Sequence, residues 1–156
     1  MTSNEKLAGM LNDLIRINND RYEGYASLLS RKITLDRDIW KLVCDLARQS
    51  RMNSSSLLVA TVKLRTSERT NSSLSAGIYS PLMGFKSSLA GIDRDCIIEN
   101  CRHLEELVQK AYYDALSSGI DIPEDIALLI SEQKKEMKEA SLMVFKKQAQ
   151  PVSHAA

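Results

Sequence analysis

Four stretches of helical periodicity, joined by links that run short, long, short, constrain this chain more than any other feature. Apolar residues recurring at three- and four-residue spacing mark one face of an α-helix. The first stretch covers about Asn4 to Ser30, with Leu7, Leu11, Leu14, Tyr22, Tyr25 and Leu29 on its stripe, Leu28 beside them and a polar break at Asn18. Thr2, Ser3 or Asn4 can cap it, because a short side-chain oxygen accepts from the free N–H groups of a first turn. The second stretch runs from Leu35 or Asp36 to Leu64. Its stripe is Ile39, Leu42, Val43 and Leu46, then Leu57, Ala60 and Leu64, with polar Ser50 and Asn53 between. Ser54-Ser55-Ser56 is a weak helix stretch in isolation, since hydroxyls compete for backbone bonds; tertiary packing is expected to carry it, with a local bend as the alternative.

The third stretch runs from Asp93 to Ser117, with Ile97, Cys101, Leu104, Val108, Tyr112 and Ala115 on one face. Asp93 and Asp95 place negative charge at the positive end of the helix dipole, and Gly119 suits the stop. The fourth begins at Pro123, a residue tolerated at a first helical position. Its inner stripe is Ile126, Ile130, Gln133, Met137, Ala140 and Val144, and Lys146 and Lys147 suit its end. One domain is expected over residues 4–148, with 149–156 a disordered tail.

The links turn four helices into a topology. Arg31 to Leu35 and Ser117 to Ile122 are short, which makes antiparallel neighbours of helices one and two and of helices three and four. The segment Arg65 to Ile92 is long, and its Ser80 to Leu89 reads as a short helix bent at Gly84. The expected fold is therefore all-α: a ferritin-like four-helix bundle, two antiparallel helix pairs joined by a long crossover containing a short helix.

Charge and composition exclude several function classes. Lys and Arg total 21 against 20 Asp and Glu, a net charge of +1. Nucleic acid and anionic membranes are not expected partners, because both favour a large basic excess. No secretory h-region and no long apolar run occurs, so the expected location is the cytoplasm. Cys44, Cys96 and Cys101 read as free thiols and small buried hydrophobes of a reducing compartment. No nucleotide-binding glycine loop and no nucleophile elbow is present.

Several motifs resemble those of bacterial ferritin-like four-helix-bundle proteins of unknown function. They are Leu11-Asn-Asp-Leu-Ile15, Asp20-Arg-Tyr-Glu-Gly-Tyr25, Cys101-Arg-His-Leu-Glu-Glu106 and Ala111-Tyr-Tyr-Asp-Ala-Leu116, with Leu82-Met-Gly-Phe-Lys86 and Leu89-Ala-Gly91 in the crossover. The resemblance spans about residues 5 to 148. It implies the bundle fold, and it alone suggests a storage or stress-protection role.

Ferritin-like oxidases hold a di-iron centre at mid-bundle with a Glu from each of two helices and Glu-x-x-His from each of the others. This chain has two histidines, His103 and His154, and no Glu-x-x-His. By the resemblance, about Ser141 stands where a helix-four histidine is expected. Asn18, Ser50, Asn53, Glu105 and Gln133 fall near the midpoints of their helices and are expected to form a buried polar layer, with no catalytic or cofactor-binding residue and no metal ligand among them. Buried without a cation, Glu105 would be partly neutral, because desolvation disfavours a carboxylate. The alternative is a weak divalent-metal site near Glu23, Glu105 or Glu136, in a divalent-metal-binding or di-iron oxidase-like protein with degenerate ligands. Tyr25 and Tyr112 are expected to fill core while their hydroxyls reach polar partners, and His103 to pair at the surface with Glu99 or Glu106. The expected function is non-enzymatic, through self-association as a homo-oligomer or through a protein partner, since the crossover carries Ile78, Tyr79, Leu82, Met83 and Phe85, which must cover a bundle side or meet another subunit.

Overall fold

The computed structural model describes residues 2–30, 36–68 and 93–149. They form four α-helices: α1 (Ser3–Ser30), α2 (Arg37–Glu68), α3 (Arg94–Leu116) and α4 (Glu124–Ala149). The crossover and the expected short helix around Ser80 to Leu89 lie outside the described residues, as does the tail from residue 150.

Local chemistry accounts for the helix ends. Thr2 Oγ1 accepts from the Glu5 amide at 3.2 Å while the Thr2 amide donates to Glu5 Oε2 at 2.7 Å, a reciprocal capping box. Asp93 caps α3 by accepting from the Cys96 amide at 2.7 Å. Beyond Leu116, Gly119 takes a φ of +73°, a left-handed conformation that a side chain would strain. The expected weakness at Ser54-Ser55-Ser56 does not interrupt α2. Ser50, Ser56 and Thr61 hydroxyls donate to carbonyls one turn back, at 2.8, 3.1 and 2.8 Å. Ser54 Oγ instead reaches across to α1, bonding Asn19 Oδ1 at 2.7 Å.

Interhelical contacts fix the direction of each rod. Ser54 of α2 meets Ile15 and Asn19 of α1, while Gln49 and Ser50 meet Arg21, so α1 and α2 are antiparallel. Asn18 meets Tyr112 and Tyr25 meets Glu105, so α1 and α3 are antiparallel too. Gln109 bonds Lys134 and Arg94 bonds Lys147, which sets α4 against α3. Lys147 meets Asp38 and Gln133 meets Asn53, which sets α4 against α2. Each helix thus borders two others, with α1 and α4 running one way and α2 and α3 the other. The end of α2 and the start of α3 consequently lie at opposite ends of a bundle roughly 45 Å long at the usual helical rise.

The four stripes meet in one apolar core from Leu7 to Val144. On α1 the inner positions are Leu7, Leu11, Leu14, Asn18, Arg21, Tyr25 and Leu28, a strict four–three alternation. This moves the stripe off Tyr22 and Leu29, which are half-buried at its flank. Arg51 of α2 lies over the Tyr22 ring at 4.5 Å. At one end of the bundle, Arg94 pairs with Asp36 at 2.9 Å and Lys147 with Asp38 at 2.8 Å, tying the starts of α2 and α3 to the end of α4. The Lys147 ammonium holds the Asp38 carboxyl below its ordinary value. Among the described residues, no helix is long and apolar enough to cross a membrane.

Candidate functional site: a buried ion pair in a polar layer

The apolar core is interrupted at mid-bundle by a polar layer. Asn18, Ser50, Asn53, Glu105 and Gln133 are all buried, none of them more than 4% exposed. They are joined by four residues that lay outside the expected set of layer residues: Arg21, Tyr25, Gln49 and Tyr112. Arg21, itself fully buried, is the centre. Its Nε and Nη2 each donate to a different Glu105 oxygen at 2.9 Å, a bidentate fork. Two further donors go to Ser50 Oγ at 3.1 Å and Gln49 Oε1 at 2.8 Å. Tyr25 Oη donates to Glu105 Oε1 at 2.5 Å. One carboxylate on α3 is therefore held by a guanidinium and a phenol from α1, and the guanidinium is held in turn by α2.

A second chain of bonds completes the layer. Asn18 Nδ2 donates to Tyr112 Oη at 2.7 Å and to the Leu14 carbonyl at 2.8 Å. Tyr112 Oη donates to Gln133 Oε1 at 2.7 Å, and Gln133 Nε2 reaches the Asn53 carbonyl at 3.3 Å. The layer touches all four helices. A connected set of this kind penalises any slip of one helix past another, because a shifted partner leaves a buried polar group unpaired.

The electrostatics follow from burial and this pairing. Burial alone would lower the Arg21 pKa, but the Glu105 carboxylate outweighs it and the net shift is upward. Desolvation, reinforced by the Glu105 charge, pushes Tyr25 well above the usual phenol value. Tyr112 is likewise raised by burial. Cys101, one turn before Glu105, is pushed up to about 12, first by burial and then by the same carboxylate. A thiol raised in this way stays protonated at neutral pH, which disfavours nucleophilic attack.

These positions bear on the mid-bundle acids. Glu105 is not buried without a cation: the protein supplies one in Arg21. Glu23 and Glu136 do not reach the layer, because both side chains are exposed. Among the described residues, no three His, Cys, Asp or Glu side chains converge. The mid-bundle donor set is one carboxylate already engaged by a guanidinium, amides, hydroxyls and no imidazole, and it does not fit a di-iron centre. At the surface, His103 is exposed, and Glu99 and Glu106 both pair with Arg102.

The fold and the layer define a class: an all-α, four-helix protein whose mid-bundle charge is neutralised by its own side chains. The chain belongs to the family described as Domain of unknown function (DUF2383), whose model matches residues 6–118. The match takes in α1 to α3, with Arg21, Tyr25, Glu105 and Tyr112, and ends before Gln133 of α4. No curated protein and no solved structure matches the chain.

Proposed function

We propose that this is a non-catalytic, ferritin-like bundle that works by associating with copies of itself, its metal centre replaced by an internal ion pair. The observation that carries this reading is the Arg21–Glu105 fork, both side chains fully buried. The order of helix directions, with α1 and α4 opposed to α2 and α3, supports the reading, since ferritin-like bundles built of two hairpins and one long connection have this order. In di-iron members of that architecture the facing carboxylates need divalent cations to offset their charge. Here the guanidinium offsets it, and a divalent ion beside Arg21 would meet like-charge repulsion at low dielectric.

The association half of the proposal rests on the outward face of α2. Leu58, Val59 and Val62 are 51–54% exposed, within one and a half turns of each other. Contiguous apolar surface of this kind marks an interaction face more often than scattered single residues do.

Sedimentation velocity at tens of micromolar tests the reading. The expected result is a dimer or larger species for the parent chain and a monomer for V59E/V62E. A parent chain that stays monomeric overturns self-association. Stoichiometric iron, manganese or zinc in protein purified without chelator overturns the metal-free part.

A further inference from the structure

Helices α2 and α4 share one face of the bundle, and its two edges carry opposite charge. Clefts of about 530 and 440 Å³ lie between the helices. Ser56 and Leu129 line both, so the two clefts are parts of one groove. On the α2 edge stand Arg48, Met52, Val59 and Lys63, all exposed and at helical spacing. On the α4 edge stand Asp125, Leu128, Glu132 and Glu136, also exposed and at helical spacing. Asp45 takes one Arg48 nitrogen at 2.6 Å, and the other guanidinium donors remain for further acceptors. The α2 edge is therefore net positive, and the charges that line the groove from α4 are all acids.

Apolar side chains stand among these charges on both edges. Met52 is 64% and Val59 54% exposed on α2, and Leu128 is 58% exposed on α4. Two helices side by side, each about 10 Å across and about 40 Å long, present roughly 800 Å². That is about the area each partner contributes to a standard stable interface.

Heights along the bundle decide how a second copy can sit on this face. Asn53 is level with Gln133, Lys63 lines the same cleft as Asp125, and Arg48 the same cleft as Glu136. A twofold axis parallel to the helices keeps every residue at its height and sets α2 against α4 of the other copy. Opposite charges then face each other. A twofold axis across the helices sets α4 on α4 and brings acids against acids, which an interface strongly disfavours.

We propose that two copies pair through their α2–α4 faces about a twofold axis parallel to the helices. Lys63 of one copy then meets Asp125 of the other, Arg48 meets Glu136, and Val59 packs on Leu128, each contact made twice. This arrangement rests on the self-association proposed above, and names the surface and the symmetry through which it occurs.

Two full-length charge-reversed chains, R48E/K63E and D125K/E136K, test it by sedimentation velocity, each alone and in an equimolar mixture. All four substituted side chains are exposed, and each chain is expected to keep the parent's helical circular dichroism. Alone, each sets like charges across the interface and is expected to dimerise at least about tenfold more weakly than the parent. Mixed, the two chains restore opposite charge at every pair, and the parent's dimerisation is expected to return. Recovery in the mixture cannot come from contacts within one chain. A parent chain that dimerises while either variant alone does so equally well overturns this arrangement and leaves self-association standing. Weakened variants that fail to recover when mixed overturn it as well, because α2 then does not face α4. A monomeric parent overturns self-association and this arrangement together.

Discussion

Helix α3 carries two arginine–glutamate partnerships within one turn of each other, and they differ in everything but chemistry. Glu105 faces inward and is forked by Arg21 at 2.9 Å with both side chains fully buried. Arg102 faces outward and reaches Glu99 at 2.7 Å and Glu106 at 3.5 Å, with all three side chains at least a third exposed. Distance alone would rank the surface pair first. Environment reverses the ranking: water screens Arg102 and holds its partners as well as it does, whereas Arg21 and Glu105 have only each other and their hydrogen-bonded neighbours. The buried pair adds less net stability than its Coulomb attraction suggests, because both ions paid desolvation. Its importance is that neither ion can be removed singly.

That contrast can be broken in order of effect. Arg21→Met leaves the Glu105 carboxylate buried without its cation, and urea unfolding should show a loss of about 3–5 kcal/mol. A loss no larger than that of a surface variant would mean that solvent reaches Glu105. Alkaline pH comes next. An ordinary thiol titrates near 9.0, whereas folded Cys101 is pushed up to about 12. The unfolded chain therefore releases a proton that the folded chain retains. Stability is complete below pH 9 and falls as pH rises toward 12, by at most about 1.4 kcal/mol per pH unit from this group. The raised phenols of Tyr25 and Tyr112 deepen the fall above pH 10 in the same sense. C101A should flatten the first part of that curve, and an unchanged slope would remove Cys101 from the account.

Tyr112→Phe deletes the hydroxyl that links Asn18 to Gln133, and about 1–2 kcal/mol should be lost in the same urea assay. R21M/E105L/Y25F replaces the inner pair and its phenol by apolar groups together. Its stability should return to within about 1–2 kcal/mol of the parent, far above R21M alone. If the triple variant is as unstable as R21M, packing and not uncompensated charge explains the single substitution. Smallest of all, Arg102→Ala should leave the urea midpoint unmoved within error.

Much of the fold was legible because the apolar period survives even where individual positions are polar. The spacing placed α1 at Asn4–Ser30 against an observed Ser3–Ser30, and α3 and α4 within a residue or two. α2 ends at Glu68, beyond its last apolar residue Leu64, since a helix already packed elsewhere can extend past its stripe. The five layer residues were legible as polar breaks at helix midpoints. Arg21 was not, although its place in the four–three alternation between Asn18 and Tyr25 was visible. A buried arginine is so costly that it makes sense only with its partner, and that partner lies on another helix, 84 residues on. Tyr22, one position later, offered a cheaper continuation of the stripe. Glu23 and Glu136 misled for the opposite reason. Both lie beside inner positions, and a helix turns through about 100° per residue, enough to carry a neighbour from core to water.

A guanidinium from α1 occupies the charge-neutralising position at mid-bundle. The most direct measurement is a crystal structure grown with excess manganese, with an anomalous map computed around Glu105. The account predicts both Glu105 oxygens within about 3 Å of Arg21 nitrogens and no anomalous peak in the layer. A manganese ion ligated by Glu105, with Arg21 swung out of the layer, would contradict it.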